Sequence, residues 1–144
     1  MLYIASDHGG YSLKKHILNY LVSKNIKIED LGAYELIPED DYPVYTKKLA
    51  ESIKNNNDKG ILICRNGVGV CMYANRFSNI RAGLSWSTKH AASSRNDDDT
   101  NILCLPADYL NEKEAVEIVE TWLNTPFGNK DRYIRRLEML NLKW

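Results

Sequence analysis

The residues of this chain that could do chemistry are grouped around one cysteine. Cys64 ends the most uniformly apolar run, residues 60–64, and is followed by Arg65 and then by Asn66-Gly67-Val68-Gly69. Two glycines spaced by one residue let the backbone turn its N–H groups inward, which forms a nest for an anion or a developing oxyanion. A cysteine beside this nest, a helix N-terminus and Arg65 is expected to have a lowered pKa, as a thiolate base or nucleophile requires. The alternative is a small buried hydrophobe that ends a strand, next to glycines that only make the turn.

A second polar motif, Asp7-His8-Gly9-Gly10, follows the first apolar run of the chain. A helix that begins after this motif would offer an anion its free backbone N–H groups and the positive end of its dipole. His8 would add a hydrogen-bond donor or a charge. The alternative gives Asp7 a helix-capping role and leaves His8 on the surface.

Two further groups of charged residues lie in the second half of the chain. Arg132 and Arg136 are four residues apart, so they share one helix face. Paired guanidinium groups suit phosphate because each can bind two oxygens, although such a pair also fits a solvated face. Asp97-Asp98-Asp99 lacks the glycine and terminal Glu of a calcium loop, so we expect a capped turn, or one acid that reaches an active site, and no metal site.

Short apolar runs that alternate with helical periods must position these residues. Strands are predicted at residues 2–5, 26–31, 60–64, 80–84 and 102–106, with helical spacing between them and after the last. Pro43 suits the first turn of one helix, and Asn111 with Glu114 predicts a capping box for another. A last helix is predicted from near Asn129. The predicted fold class is α/β, a five-stranded parallel sheet covered on both faces, and such sheets bind ligands at the carboxyl ends of their strands.

The composition excludes several functional classes. The chain has 144 residues with 19 Lys+Arg and 19 Asp+Glu, so no basic excess can hold nucleic acid or an anionic membrane. No apolar run approaches the roughly 20 residues of a membrane span, and the first residues lack the features of a signal peptide. The cysteines, Cys64, Cys71 and Cys104, are odd in number and lack C-x-x-C spacing, which argues against disulfides and structural zinc. We expect one cytoplasmic domain over residues 1–144.

Eight motifs in a fixed order span nearly the whole chain. They are Ser6-Asp7-His8-Gly9-Gly10, Asp41-Tyr42-Pro43, residues 60–64 with Gly67-Val68-Gly69, Ala74-Asn75-Arg76, Ile80-Arg81-Ala82, Ser94-Arg95, Asp99-Thr100-Asn101, and Arg132 with Arg136. Together they resemble the family that contains the type B ribose-5-phosphate isomerases and the galactose-6-phosphate isomerase subunits. The resemblance implies a Rossmann-like three-layer αβα sandwich that works as a homodimer or tetramer. Its active sites would be shared between subunits, with the C-terminal helix reaching a partner subunit.

The resemblance also implies a reaction and a set of site residues. The family interconverts an aldose phosphate and its ketose through an ene-diolate without metal or cofactor, and ribose 5-phosphate is the first expectation here. Cys64 would be the base that moves the proton between C1 and C2. The implied ligand contacts are Asn66 and the backbone of Gly67 to Gly69 for the ene-diolate, Asp7 and Tyr42 for sugar hydroxyls, and His8, Arg132 and Arg136 for phosphate.

The chain departs from the family's pattern beside the cysteine. Arg65-Asn66-Gly67 stands where the family commonly has Gly-Thr-Gly. A branch with asparagine at this place uses a Glu base where this chain has Val68, and since Val68 cannot be a base, Cys64 keeps that role. Arg65 would either stabilise the thiolate by its charge, or contact a carboxylate or second anion on a different substrate.

A second departure concerns the opening of the sugar ring. Asp97-Asp98 stands where the family often has His-Asn, whose histidine transfers the ring-opening proton. A carboxyl group can be an acid at neutral pH only if its pKa is raised, and repulsion among adjacent acids could raise one. Asp97 is therefore the candidate for ring opening, with Asp98 as a substrate contact. The alternatives are ring opening by His8 or an acyclic substrate.

Three other functions compete with ribose-5-phosphate isomerisation. A hexose 6-phosphate or a modified sugar phosphate could be the substrate. A non-catalytic phosphate sensor or partner subunit is favoured by the two aspartates at the place of His-Asn and opposed by the intact Cys64 nest. A flavodoxin-like module would need an FMN phosphate loop with aromatic flanks, and the sequence has neither.

Overall fold

A computed structural model describes residues 1–140, and five parallel strands form its central sheet. The strands are β1 (Leu2–Ser6), β2 (Ile28–Asp30), β3 (Lys59–Cys64), β4 (Ala82–Leu84) and β5 (Ile102–Pro106). Their order across the sheet is β2-β1-β3-β5-β4, and every pairing is parallel. The helices are α1 (Tyr11–Ser23), α2 (Tyr42–Ser52), α3 (Val68–Ala74), α4 (Thr88–Asp98), α5 (Glu112–Asn124) and α6 (Asp131–Leu140). The predicted five-stranded parallel sheet with flanking helices is confirmed.

The apolar core lies on both faces of this sheet. Ile61 and Ile63 of β3 belong to one cluster with buried residues of α1 and α5, whereas Leu62 and Cys64 belong to a second cluster with α2 and α3. Successive side chains of a strand point to opposite faces, so a strand covered on both sides must be apolar at every position. This explains why β3 was recognisable from composition alone.

The edge strand β4 is shorter than predicted. It begins at Ala82 rather than residue 80, because the N–H of Arg81 bonds the Asn101 side chain (2.7 Å) instead of a neighbouring strand. α3 begins at Val68, directly after Gly67 with its positive φ of 72°. The capping box of Asn111 and Glu114 is confirmed.

The outer edge of β4 is occupied by one side chain. The Asn75 amide donates to the carbonyl of Ala82 (2.9 Å) and accepts from the N–H of the same residue (2.9 Å). A single asparagine thus satisfies two of the backbone groups that a further strand would use.

Within the acidic run 97–99, Asp97 and Asp98 form the last turn of α4. Asp99 ends the helix with a left-handed conformation and binds Arg81 and Arg95, each at 2.8 Å. Asp99 therefore matches the capped turn, which was one of the two predicted alternatives for this run.

Lys14 fixes α1 to the end of β2. Its side chain is 1% exposed, and its ammonium group contacts both carboxylate oxygens of Asp30 (2.6 and 2.7 Å) and the carbonyl of Ala33 (2.7 Å). Three acceptors satisfy the three donors of the ammonium group, which makes its burial tolerable.

Within residues 1–140, no helix combines the length and apolar character needed to cross a membrane.

Candidate active site

The candidate site lies where the sheet order reverses. β1 is followed along the chain by β2 on one side, whereas β3 lies on its other side, so a crevice opens at the carboxyl ends of β1 and β3. Ser6 is in register with Ile63, which places Asp7 and His8 beside Cys64. The two polar motifs predicted to carry chemistry therefore meet at one point.

The Cys64 thiol faces the turn that follows it. Its side chain is buried, and its sulfur accepts a hydrogen bond from the N–H of Gly67 (3.2 Å). The Asn66 side-chain oxygen lies 3.9 Å from the sulfur and accepts from the N–H of Val68 (3.0 Å). The predicted nest is present, and in this structure the thiol itself lies against its N–H groups.

The expected lowering of the Cys64 pKa is wrong. Burial raises the pKa of this thiol, and the backbone N–H groups of Val70 and Gly67 oppose that rise without cancelling it. The thiol with a lowered pKa is that of Cys71, at about 7, because the neighbouring Cys104 thiol stabilises its thiolate form. The sequence spacing correctly places the nest after Cys64 but does not indicate how deeply the thiol is buried.

The expectation that the charge of Arg65 stabilises the Cys64 thiolate is also wrong in this structure. The side chain of Arg65 is 64% exposed, and its guanidinium lies 3.5 Å from the Asp108 carboxylate. Side chains alternate along an extended chain, so the residue after Cys64 points away from the thiol. Its contact with a second anion stays a prediction.

Asp7 and His8 occupy the turn after β1. Asp7 is buried and accepts from the N–H of Gly10 (3.2 Å), which is the predicted capping alternative. Burial raises the pKa of the Asp7 carboxyl, and the Gly10 N–H partly opposes this. The His8 ring lies 2.7 Å from one oxygen of Asp40, a residue that the sequence did not single out.

Tyr42 closes one side of the nest. It is the first residue of α2 and is 36% exposed, and its ring lies so close to Gly69 that an added Cβ would be 2.6 Å from it. Gly69 is therefore required by a close approach, and the Tyr42 hydroxyl is presented at the candidate site.

The side chains of Asp7, His8 and Asp40 have the spacing of a possible metal site. One ligand atom from each lies within 4.8 Å of the others, and this is the one such group among residues 1–140. The His8 ring nitrogen nearest to Asp40 is already hydrogen-bonded to it. A metal ion would have to replace that bond.

The remaining predicted residues form a second group on α4 and α6. The hydrogen bond from the Asn96 amide (2.6 Å) is the largest contribution that lowers the pKa of Asp97, and Tyr133, Lys130 and Arg132 lower it further. Burial and then the charge of Asp97 raise the pKa of Asp98, which faces Arg136 and His90. The carboxyl group with the raised pKa is therefore that of Asp98. The pKa of Asp97, the predicted ring-opening acid, is lowered instead.

The two groups lie at opposite ends of the sheet. α4 returns from the end of β4 to the start of β5, so its last turn with Asp97 and Asp98 lies at the amino ends of the strands. Cys64 ends the six-residue strand β3, which spans about 20 Å. Among residues 1–140, no hydrogen bond or ion pair joins Arg132 or Arg136 to the Cys64 group.

A cavity of about 820 Å³ lies along β4 and borders the second group at Asp98. Asp98, His90 and Leu140 are among the residues that line it. His90 received no role from the sequence, yet its ring stacks on Trp86 (4.2 Å) and bonds the Ser85 hydroxyl (2.8 Å). An isolated histidine in a helical stretch carries no signal of such neighbours.

Comparison with known proteins agrees with this arrangement. A sequence model of the Ribose/Galactose Isomerase family matches residues 2–140. The chain is 44% identical over 127 residues to a probable ribose-5-phosphate isomerase B of Mycoplasma pneumoniae, which covers 88% of this chain and 84% of the relative. The ribose 5-phosphate isomerase of Thermotoga maritima superposes with a TM-score of 0.93 at 40% identity, over 97% of this chain and 96% of that one.

A second solved structure holds a sugar phosphate. The ribose-5-phosphate isomerase B of Mycoplasma genitalium with bound ribulose-5-phosphate has a TM-score of 0.92 and 39% identity, over 97% of this chain and 93% of that one. These matches confirm the resemblance carried by the eight motifs: the chain belongs to the Ribose/Galactose Isomerase family.

Proposed function

We propose that this protein interconverts ribose 5-phosphate and ribulose 5-phosphate through a cis-ene-diolate, with Cys64 as the base. The observation that carries the proposal is the buried thiol against the Gly67 N–H, at the switch point shared by β1 and β3. Relatives about 40% identical that are named ribose-5-phosphate isomerase B support the choice of sugar.

The proposed chemistry uses one thiol and a few fixed dipoles. The Cys64 thiolate removes the C2 proton of the open-chain aldose, and the electron pair moves so that negative charge develops on O1. Asn66 and the backbone N–H groups of Gly67 and Gly69 stabilise this charge. The O2 hydroxyl proton then moves to O1, and the thiol returns its proton to C1, which yields the ketose. A raised pKa leaves less thiolate at neutral pH, but the thiolate that forms is a stronger base.

The arginines that bind the substrate phosphate are proposed to come from a second copy of the chain. Arg132 and Arg136 share a face of α6 at the end of the sheet opposite Cys64, so they cannot complete their own chain's site. In a homodimer or tetramer, a partner's α6 would bring them to the phosphate, while His8 of the first chain binds from the other side. Remote phosphate contacts would then position the reacting carbons without taking part in the proton transfer.

Ring opening is proposed to fall to Asp98. Its pKa is raised whereas that of Asp97 is lowered, and Asp98 lines the cavity whereas Asp97 contacts Asn96. The Asp97 carboxylate is then proposed to interact with the positive charge of Arg132. Asp7 and Tyr42 are proposed to bind sugar hydroxyls at the Cys64 group.

The setting of the reaction is proposed to be the cytoplasm, and no metal or cofactor is needed for it. Cys64, Cys71 and Cys104 are all free thiols, which suits a reducing compartment. One domain over residues 1–144 is proposed to carry the whole activity; residues 141–144 lie outside the described part.

The experiment that tests the proposed function follows a deuterium label. Aldose 5- and 6-phosphates labelled with deuterium at C2 are incubated with the protein, and NMR follows loss of the label together with formation of the ketose. Loss of the label with ketose formation on ribose 5-phosphate is the expected result. The same outcome on a hexose 6-phosphate alone would change the substrate, and no exchange on any sugar by a folded, phosphate-binding protein would favour the partner-subunit alternative.

A further inference from the structure

The His8–Asp40 pair joins two segments that are 32 residues apart in the chain. One carboxylate oxygen of Asp40 accepts from both the backbone N–H of His8 (2.8 Å) and its ring nitrogen Nδ1 (2.7 Å). Two bonds to one oxygen fix the ring plane as well as the backbone turn after β1. The ring orientation therefore depends on the segment that precedes α2.

The burial of this pair is uneven. The Asp40 side chain is 7% exposed, whereas the His8 side chain is 26% exposed. A buried carboxylate requires a compensating positive charge or strong donors. Because Asp40 occupies Nδ1, only the outer edge of the His8 ring with Nε2 is left for a ligand.

The surrounding charges favour the imidazolium form of His8. Asp7 and Asp40 are acids that face it, Arg65 is the opposing cation among residues 1–140, and the Tyr45 hydroxyl faces Asp40 from α2. The hydrogen bond with Asp40 raises the pKa of His8, and partial burial opposes the rise. Burial acts to raise the pKa of Asp40, but the hydrogen bonds from the backbone and ring of His8 lead the contributions that outweigh it, so the carboxylate stays ionised.

We propose that Asp40 is a positioning residue that holds His8 as an imidazolium, with its Nε2–H directed at the phosphate of the substrate. The inference rests on the proposed function for the identity of the ligand. It adds that the Asp40 carboxylate is the counter-ion of the imidazolium at Nδ1. The Nε2 side of the ring can then bind a phosphate dianion near neutral pH.

Two variants separate the orientation of the ring from its charge. Asp40→Asn keeps an oxygen that can accept from Nδ1–H but removes the negative charge, whereas Asp40→Ala removes both. Glu112→Gln is the matched control, since it removes the carboxylate that lies 3.2 Å from the exposed His16 on another surface. Circular dichroism verifies that each variant is folded.

The first readout is the titration of His8 in NMR spectra of the imidazole carbons. The chain has only three histidines, and His8→Gln assigns the signal. Asp40→Asn should lower the pKa of His8 by about one unit, and Glu112→Gln should leave it unchanged. A His8 pKa equal in the parent and in Asp40→Asn would overturn the proposal.

The second readout is the affinity for inorganic phosphate as a function of pH. The imidazolium is present below the pKa of His8 and is lost as the pH rises through it. Asp40→Asn should therefore bind phosphate several-fold more weakly than the parent at pH 7.5 and about equally at pH 5.5, whereas Asp40→Ala should bind weakly at both. An equal loss for Asp40→Asn at both pH values would indicate a structural role only and would overturn the proposal.

These readouts do not depend on isomerase activity. A protein that exchanges no label from any sugar but shows the His8 shift and the pH-dependent loss of phosphate affinity would remove the proposed function and support the role of Asp40. The reverse result, with isomerisation intact and no shift, would remove only the role of Asp40.

Discussion

At the scale of single residues, Cys64 shows two opposing influences on one thiol. Backbone N–H groups of the turn stabilise the thiolate, and burial under the same turn destabilises it. Burial wins, so the resting group is a thiol that becomes a base only when it loses its proton. The same burial excludes water from the site, which strengthens the dipoles that would hold the ene-diolate.

Replacing this thiol tests whether it is the base. Cys64→Ala should lower turnover by at least about a thousandfold, because no other group at the nest can take the C2 proton. Cys71→Ala is the control, since Cys71 bonds the Ala82 carbonyl (3.4 Å) and has no place in the proposed mechanism. The rate of label loss from C2 is the measurement. A Cys64→Ala variant that kept its rate would assign the base elsewhere.

The pH dependence of turnover follows from the raised pKa of Cys64. A base acts above its pKa, so kcat should rise as the pH increases through the neutral range into the alkaline range. The rise should approach tenfold per pH unit below the pKa, because the thiolate fraction grows at that rate. Measurements of kcat at saturating substrate from pH 6 to 10 test this. A profile that is flat over this range would mean that the pKa is not raised in the substrate complex.

At the scale of elements, buried contacts between neighbours hold the site in place. Lys14 connects α1, which follows His8, to the ends of β2 and the next loop. Gly67 needs its positive φ and leaves no room for a side chain, because an added Cβ would be 2.5 Å from Leu84. Both contacts fix the turns that present His8 and Cys64.

Breaking the Lys14 contact should reduce stability. Lys14→Met should lower the free energy of unfolding by about 2–3 kcal/mol, because it leaves Asp30 and the Ala33 carbonyl without their buried donor. Lys15→Met, on the exposed neighbouring position, should change it by less than about 0.5 kcal/mol. Urea denaturation of both variants gives the comparison. Equal stabilities would show that the buried ion pair contributes no net stabilisation.

Sequence patterns predicted elements well where one physical cause acted alone. The apolar strand at 60–64 and the capping box at Asn111 follow from burial on two faces and from a local hydrogen bond. In the acidic run, the capped turn at Asp99 was predicted, but nothing in the run itself indicated that Asp97 and Asp98 form the last turn of α4. Asp40 was missed because its partner His8 is 32 residues away, and no local pattern reports such a contact.

At the scale of the whole molecule, the two groups of predicted residues lie at opposite ends of the sheet, and we propose that two copies of the chain share them. Cys64 and His8 lie at the carboxyl end of the sheet, and Arg132 and Arg136 lie beside the amino end. If sites are shared, a defect in one group can be compensated by an intact group on another subunit. This relation between copies is open to test.

Complementation between defective subunits tests the sharing of sites. Cys64→Ala and a chain with both Arg132→Ala and Arg136→Ala should each be inactive alone. Co-expression should restore about a quarter of the parent activity, because half of randomly formed dimers are mixed and each has one intact site. Co-expression of Cys64→Ala with Asp7→Ala is the control, since both changes lie in one group and no intact site can form. Equal recovery in the two mixtures, or none in either, would contradict shared sites.

The asparagine at the outer edge of β4 limits the ways in which copies of this chain can join. An unprotected strand at that edge could extend the sheet from one molecule into the next and lead to open-ended aggregation. Asn75 already occupies the N–H and carbonyl of Ala82, so β-addition at this residue would have to displace an intramolecular mimic of a strand. Any assembly on this side would therefore favour side-chain surfaces, which can close on a defined number of subunits.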